Sequence, residues 1–165
     1  MDLKLTRLSD IDVAELVALH SDARVLRHMP LAVGVFDEPA CRKWVEGKER
    51  QWEINGYGPW AFLIDGRFAG WGGLQLEHGD ADLALVLFPE YWGRGRTVYR
   101  KILAKAFGEM GFESITALLP PGRDRAKGML RLGFETDGQV EIAGTSFVRY
   151  RLWASKPGGA AKSCE

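Results

Sequence analysis

Cysteine is nearly absent and neither sign of charge is in excess, and each shortage removes a class of function. Cys41 and Cys164 are the whole cysteine complement. They lack metal-ligand spacing, so neither a disulfide scaffold nor a zinc module is in view, and a reduced cytoplasm is the expected compartment. Lysine plus arginine number 22 and aspartate plus glutamate number 22. The net charge is therefore zero, and no basic field argues for general nucleic-acid binding. No stretch approaches the length of a membrane span, and Met1-Asp2-Leu3-Lys4 carries no apolar h-region, which sets the expectation of no membrane. There is no internal repeat. A Gly-x-Ser-x-Gly elbow is missing and Cys41 has no recognisable histidine partner, which argues against a covalent nucleophile. A P-loop Gly-Lys-Ser/Thr is also missing. What remains is 165 residues, 46% hydrophobic and 27% charged, the content of one globular domain with a single core.

The chain is organised around Phe88-Pro89-Glu90-Tyr91-Trp92-Gly93-Arg94-Gly95-Arg96-Thr97. Before it, Asp82 to Phe88 is apolar on both alternating faces, Leu83, Leu85 and Leu87 on one and Ala84, Val86 and Phe88 on the other. That pattern predicts a strand covered on both sides. After it, Val98, Ile102, Ala106 and Met110 form one ridge and Tyr99, Leu103 and Phe107 a second, so a helix with a wide buried face follows. Gly93 and Gly95 allow close backbone approach, and the open N–H groups of a first helical turn point at the same place. With Arg94 and Arg96 beside Gly95, the corner suits a pyrophosphate. An ordinary turn with solvated arginines is the alternative, and the run stops short of the G-x-G-x-x-G of a dinucleotide fold.

Elsewhere, alternation of Leu3 and Leu5 predicts a first strand. Ser9, three residues before Asp12, reads as a cap for a helix carrying Ile11, Val13, Leu16 and Val17, and Val25 to Pro30 ends that unit. A second helix is expected from Asp37 to Glu53, stopped by Asn55-Gly56. Tyr57 to Ile64 and Arg67 to Leu76 pair across Asp65-Gly66, and His78-Gly79-Asp80 turns the chain into the central strand. Phe112 to Leu119 is the next strand, and the strand–helix–strand order implies a right-handed crossover with the two strands parallel. Pro120-Pro121-Gly122 opens a short helix with Ala126, Met129 and Leu130 on one face, ended by Gly133. Phe134 to Ile142 and Thr145 to Trp153 make a last hairpin around Ala143-Gly144. Residues 1–154 thus read as a single domain, and the small, polar residues 155–165 as a disordered tail.

Trp92-Gly93-Arg94-Gly95-Arg96-Thr97 resembles the acyl-CoA pyrophosphate loop of the GNAT acetyltransferase superfamily, R/Q-x-x-G-x-G/A. Pro89-Glu90-Tyr91-Trp92-Gly93-Arg94-Gly95 is most similar to its ribosomal-protein-type, RimJ/RimL-like branch, with Trp92 at the R/Q position and Thr97 where a smaller residue is usual. Leu132-Gly133-Phe134 and the order of elements extend the resemblance over nearly all of residues 1–154. It implies an α/β (α+β) fold, a mixed, mostly antiparallel sheet of about seven strands, splayed at the centre and flanked by four helices. The pantetheine arm would lie between the strands Asp82 to Phe88 and Phe112 to Leu119.

The implied activity is transfer of acetyl from acetyl-CoA, with no metal, to a small-molecule or peptide amine. A cytoplasmic protein, with a homodimer as a candidate assembly, fits this reading. Because an alkyl ammonium has a pKa of ~10, a base must act near neutrality. Asp82, where the branch often carries glutamate, is the candidate, against a solvated strand-end carboxylate. The resemblance gives Val86, Leu87 and Phe88 to the cofactor, with the Leu87 and Phe88 N–H groups as oxyanion donors. Trp92, Gly93, Arg94, Gly95, Arg96, Thr97 and Arg125 complete the cofactor set, although Arg123, Arg125 and Lys127 also suit a solvated helix face. Arg27, His28 and Trp60 are expected at the acceptor pocket; Trp71 is weighed there too, with core packing favoured. Glu77, His78, Asp80 and Asp82 crowd one hairpin, but alternation puts His78 across a turn, so metal is disfavoured. Met129 stands where the family often has a tyrosine acid, and Gly122 and Arg125 where it has an Asn-x-x-Ser pair. A non-catalytic acyl-CoA-binding or regulatory module is therefore the rival reading.

Overall fold

The computed structural model describes residues 1–32 and 34–155. The expected tail falls, but for Ser155, outside the described residues. The strands are β1 (Leu3–Thr6), β2 (Pro59–Ile64), β3 (Arg67–Glu77), β4 (Asp80–Leu87), β5 (Ser114–Leu119), β6 (Glu135–Ile142) and β7 (Thr145–Trp153). They form one sheet in the order β1-β2-β3-β4-β5-β7-β6, with β4–β5 parallel and the other neighbours antiparallel. The helices are α1 (Val13–Leu19), α2 (Ala23–Leu26), α3 (Glu38–Asn55), α4 (Gly95–Leu103) and α5 (Arg123–Arg131). This is the expected mixed, mostly antiparallel sheet of seven strands, with one short helix more than the four expected.

Local chemistry explains the differences. Asp12, not Ser9, caps α1: its carboxylate accepts from the Ala14 N–H at 3.1 Å, while Ser9 lies inside a separate 3₁₀ turn, Leu8–Asp10. Asp22 caps the additional α2 by accepting from the Arg24 N–H at 2.8 Å. Asp37 caps α3 through the Ala40 N–H, and Gly56 ends it at φ +76°, a left-handed conformation that costs glycine nothing. Leu130 is 55% exposed; α5 buries Met129 and leaves Leu130 on its outer flank, contrary to the shared face expected of them.

The alternating side chains of β4 feed two cores. Ala84, Val86 and Phe88 pack with Leu16, Leu19, Cys41 and Trp71 under α1 and α3. Leu83 and Leu87 pack with Val98, Tyr99, Ile102 and Met129 under α4 and α5. No helix among the described residues is long and apolar enough to cross a membrane.

The sheet opens at its centre. β4 and β5 pair only at Asp82↔Thr116, although both strands continue beyond it. β3 holds the far half of β4 on its own side: a Cβ at Gly70 would lie 2.1 Å from Val86 O, and one at Gly72 2.3 Å from Ala84 O. Glycine permits this close approach, which draws β4 toward β3 while β5 diverges.

Candidate active site

The opening is lined by unpaired backbone. Phe88 N–H is consumed by Ala69 O at 2.9 Å, and the antiparallel register continues through Gly70↔Leu87 to Glu77↔Asp80. Hydrogen-bonded and open pairs alternate along such a ladder, so the N–H groups of Leu85 and Leu87 turn toward the gap. This corrects the expected donor pair of Leu87 and Phe88. The Phe88 ring packs on Phe68, away from the gap.

Cavities on the two faces of the sheet meet here. One, of about 460 Å³, lies on the α4/α5 side; the other, of about 560 Å³, lies on the α1/α3 side. Leu83, Leu85 and Leu119 line both. A third space of about 250 Å³, bounded by His28, Val86, Leu87, Trp92 and Gly95, adjoins them.

On the α4 side, the chain leaves β4 through a 3₁₀ turn, Pro89–Arg94, and enters α4 at Gly95. Trp92 Nε1 donates to Leu87 O at 3.0 Å, tying the turn to the strand end. No side chain caps α4, so the N–H groups of its first turn beyond Gly95 face outward at the positive end of the helix dipole. Gly95 has an ordinary helical φ of −55°, and a Cβ there would meet only Leu87 Cδ1, at 3.9 Å. The protein itself does not require glycine at this position; a glycine keeps the approach to the helix open. Gly93 is equally unobstructed. Arg96 and Arg125 border the 460 Å³ cavity, and Met129 and Tyr99 form part of its wall. Arg94 and Thr97 are exposed and line none of the three spaces.

On the other side, Asp82 is the buried carboxylate. It is 8% exposed, not a solvated strand end, because β4 begins two residues earlier and β5 covers it. Burial drives its pKa up to about 7 from 3.8, opposed by the hydrogen bond from Thr116 and assisted by the charges of Glu77 and Asp80. Thr116 Oγ1 donates to Asp82 Oδ1 at 2.8 Å. Of the other acids of the hairpin, Glu77 borders the same cavity, whereas Asp80 pairs with Arg151 at 3.0 Å, which lowers the Asp80 pKa. No group of three or more potential metal ligands converges among the described residues.

Of the residues expected at the acceptor pocket, His28 reaches the cavity on the α1/α3 side. Its ring meets Trp92 edge-on at 5.6 Å and borders both the 250 and 560 Å³ spaces. Arg27 and Trp60 do not reach it. Arg27 is exposed, two residues past the inward-facing Val25. Trp60 is buried in the α4-side core against Trp52, with ring centroids 5.3 Å apart. Trp71 takes the position expected of Trp60: it lines the 560 Å³ cavity and donates from Nε1 to His20 Nε2 at 3.1 Å. Trp44, His20 and Lys48 also form this wall, and the sequence reading did not single them out. One signal was available: Lys48 interrupts the ridge Cys41, Trp44, Lys48, Trp52, whose spacing of three to four places all four on one side of α3.

The family model described as an acetyltransferase (GNAT) domain matches residues 2–135. No curated protein sequence matches the chain. Among solved structures, the chain is similar to an acetyltransferase from Agrobacterium tumefaciens, at 18% identity over 92% of this chain and 91% of that one, with a TM-score of 0.71. It is also similar to a chimera of the spermidine N-acetyltransferase SpeG from Vibrio cholerae and hSSAT, at 16% identity over 93% and 96%, TM-score 0.68. A third is an acetyltransferase from Thermus thermophilus, at 17% identity over 93% and 98%, TM-score 0.67. At such identities the likeness is one of fold.

Proposed function

Since the chain belongs to the GNAT acetyltransferase family, we propose that it transfers acetyl from acetyl-CoA directly to a primary amine within a ternary complex, in the manner of the RimJ/RimL-like branch. The observation that carries this reading is the pair of cavities joined through the gap between β4 and β5. A thioester in one can meet an amine in the other with no covalent enzyme intermediate. In this reading the first turn of α4 and the open space before Gly93 and Gly95 take the pyrophosphate, with Arg94, Arg96 and Arg125 as counter-charges. Trp92, held on Leu87 O, and Val86 and Leu87 shape the passage.

Asp82 accepts the proton of the incoming ammonium, directly or through one water, and a pKa of about 7 suits that task near neutrality. The freed amine attacks the acetyl carbonyl carbon. The Leu85 and Leu87 N–H groups stabilise the oxyanion that forms, and the C–S bond breaks as the carbonyl returns, the departing thiolate taking up the proton that the acylated nitrogen sheds. A thiol of pKa ~8.5 leaves without an obligatory acid, so Met129 in the wall costs rate rather than forbidding the reaction.

Met129 also favours the second reading, a non-catalytic acyl-CoA-binding module. Calorimetric titration with CoA tests what both share; no heat at millimolar CoA from folded protein rejects both. Thiol release from acetyl-CoA with a panel of peptides, polyamines and amino acids then separates them. Release above background supports acetyl transfer, and its absence leaves the binding module.

A further inference from the structure

Lys48 lines the cavity on the α1/α3 side, and no carboxylate among the described residues lies within ion-pair distance of it. It emerges from α3 and contacts Gln75 Oε1. Its ammonium lies over two indole faces, 5.0 Å from the Trp71 centroid and 5.6 Å from that of Trp44. Burial pulls its pKa down to about 8, and the charge of Glu77 only partly restores it. An anion seated beside Lys48 would repair that loss, and the aromatic faces hold the ammonium in place meanwhile.

The distance to the proposed base is set by strand register. Gln75 stands directly opposite Asp82 on the β3–β4 ladder, a pair about 5.5 Å apart between Cα atoms. Lys48, through Gln75, is therefore one side chain away from Asp82. We infer that the acceptor is an α-amino acid, or an amine with a carboxylate on a neighbouring carbon, its amine at Asp82 and its carboxylate at Lys48. This rests on the acetyl-transfer reading above and adds the class of acceptor to it.

Phe36, Met29, Ile142 and Phe147 give the wall an apolar stretch that suits an apolar side chain. Glu77 also borders the cavity; its charge is set against Lys48 and would not by itself admit a free carboxylate. Lys48 in turn repels the second ammonium of a polyamine.

The test compares matched acceptors by thiol release from acetyl-CoA: leucine against 3-methylbutylamine, phenylalanine against phenethylamine, and spermidine as the polycation. The amino acid should exceed its decarboxylated partner by roughly 10- to 100-fold in kcat/KM, the scale of a charge-assisted hydrogen bond. In Lys48→Met that ratio should collapse toward one, mainly through KM, and Lys48→Arg should recover part of it. Amino acids used no better than their amines, spermidine preferred, or a ratio indifferent to Lys48→Met would each overturn the inference and leave acetyl transfer standing. No thiol release with any amine, from protein that binds CoA, overturns the acetyl-transfer reading itself and this inference with it.

Discussion

Thr116 Oγ1 donates a 2.8 Å hydrogen bond to Asp82 Oδ1, and these two residues are also the single point where β4 and β5 pair. The hydroxyl is the main influence holding down a carboxyl that burial drives up. Thr116→Val keeps the shape and removes the donor, so burial is left unopposed. The ascending limb of the kcat/KM profile should move to higher pH, with a loss of about 1–3 kcal/mol in stability for the lost bond. Thr116→Ser should restore the limb. A profile unmoved by Thr116→Val would detach the hydroxyl from the titration of Asp82.

Asp82→Asn should lower kcat by roughly 10²–10⁴ with CoA affinity nearly unchanged. Its stability should change in the opposite sense. The folded-state pKa of about 7 lies above the ordinary 3.8, so the native state binds the extra proton, and the contribution of Asp82 to wild-type stability declines as pH rises from about 4 through 7. Asparagine does not titrate. The variant should therefore gain on the wild type with rising pH, toward a ceiling on the order of 4 kcal/mol. Greater stability with lower activity would rule out unfolding as the cause of the loss. Wild-type kcat would remove Asp82 from the mechanism.

Gly95→Val should abolish CoA binding, read by calorimetry, while leaving the fold intact. The protein offers a Cβ at this position only one neighbour, Leu87 Cδ1 at 3.9 Å. Any effect on binding therefore comes from the space the side chain takes from the ligand. Unaltered affinity would move the pyrophosphate away from the α4 N-terminus.

The central strand, the corner at Gly95 and the final hairpin were legible in the sequence because each is written locally: alternation in Asp82 to Phe88, two ridges after Thr97, Ala143-Gly144 between two strands. Asp82 stood out by its position, but its burial did not, because burial is supplied by Thr116, thirty-four positions away. The wall of the cavity on the α1/α3 side was the least legible part. Trp60 and Trp71 are both strand tryptophans, and which of them reaches the cavity depends on the register of β2 on β3 and its irregularity at Phe62/Leu63, which no local pattern records. The gap-facing N–H groups are Leu85 and Leu87 rather than Leu87 and Phe88 for a similar reason: the ladder with β3 consumes the Phe88 N–H, and only the pairing shows which N–H groups alternate toward the gap.

His20 should impose a second pH dependence, opposite in sign to that of Asp82. Its ring is 6% exposed. One nitrogen, Nδ1, contacts Leu16 O at 2.9 Å, and the other accepts from Trp71 Nε1. Both contacts are met only by the neutral ring with its proton on Nδ1, because indole N–H can only donate. Desolvation accordingly holds the His20 pKa below the ordinary 6.5. A base with a lowered pKa contributes stability that is present above its unfolded value and lost as pH falls below it. In the wild type this acid-side loss runs against the gain from Asp82, so below about pH 6.5 the thermal midpoint should vary less with pH than in either single variant. Each substitution should expose the other group's slope. Asp82→Asn should lose stability on acidification below about pH 6.5, and His20→Phe should lose it on raising the pH toward 7. The unpaired Trp71 N–H of His20→Phe should lower its whole curve by about 1–3 kcal/mol, so the slope and not the height is the measurement. A flat curve for Asp82→Asn through this range would mean that His20 takes a proton without losing its bond to Trp71, and the neutral tautomer would have to be abandoned.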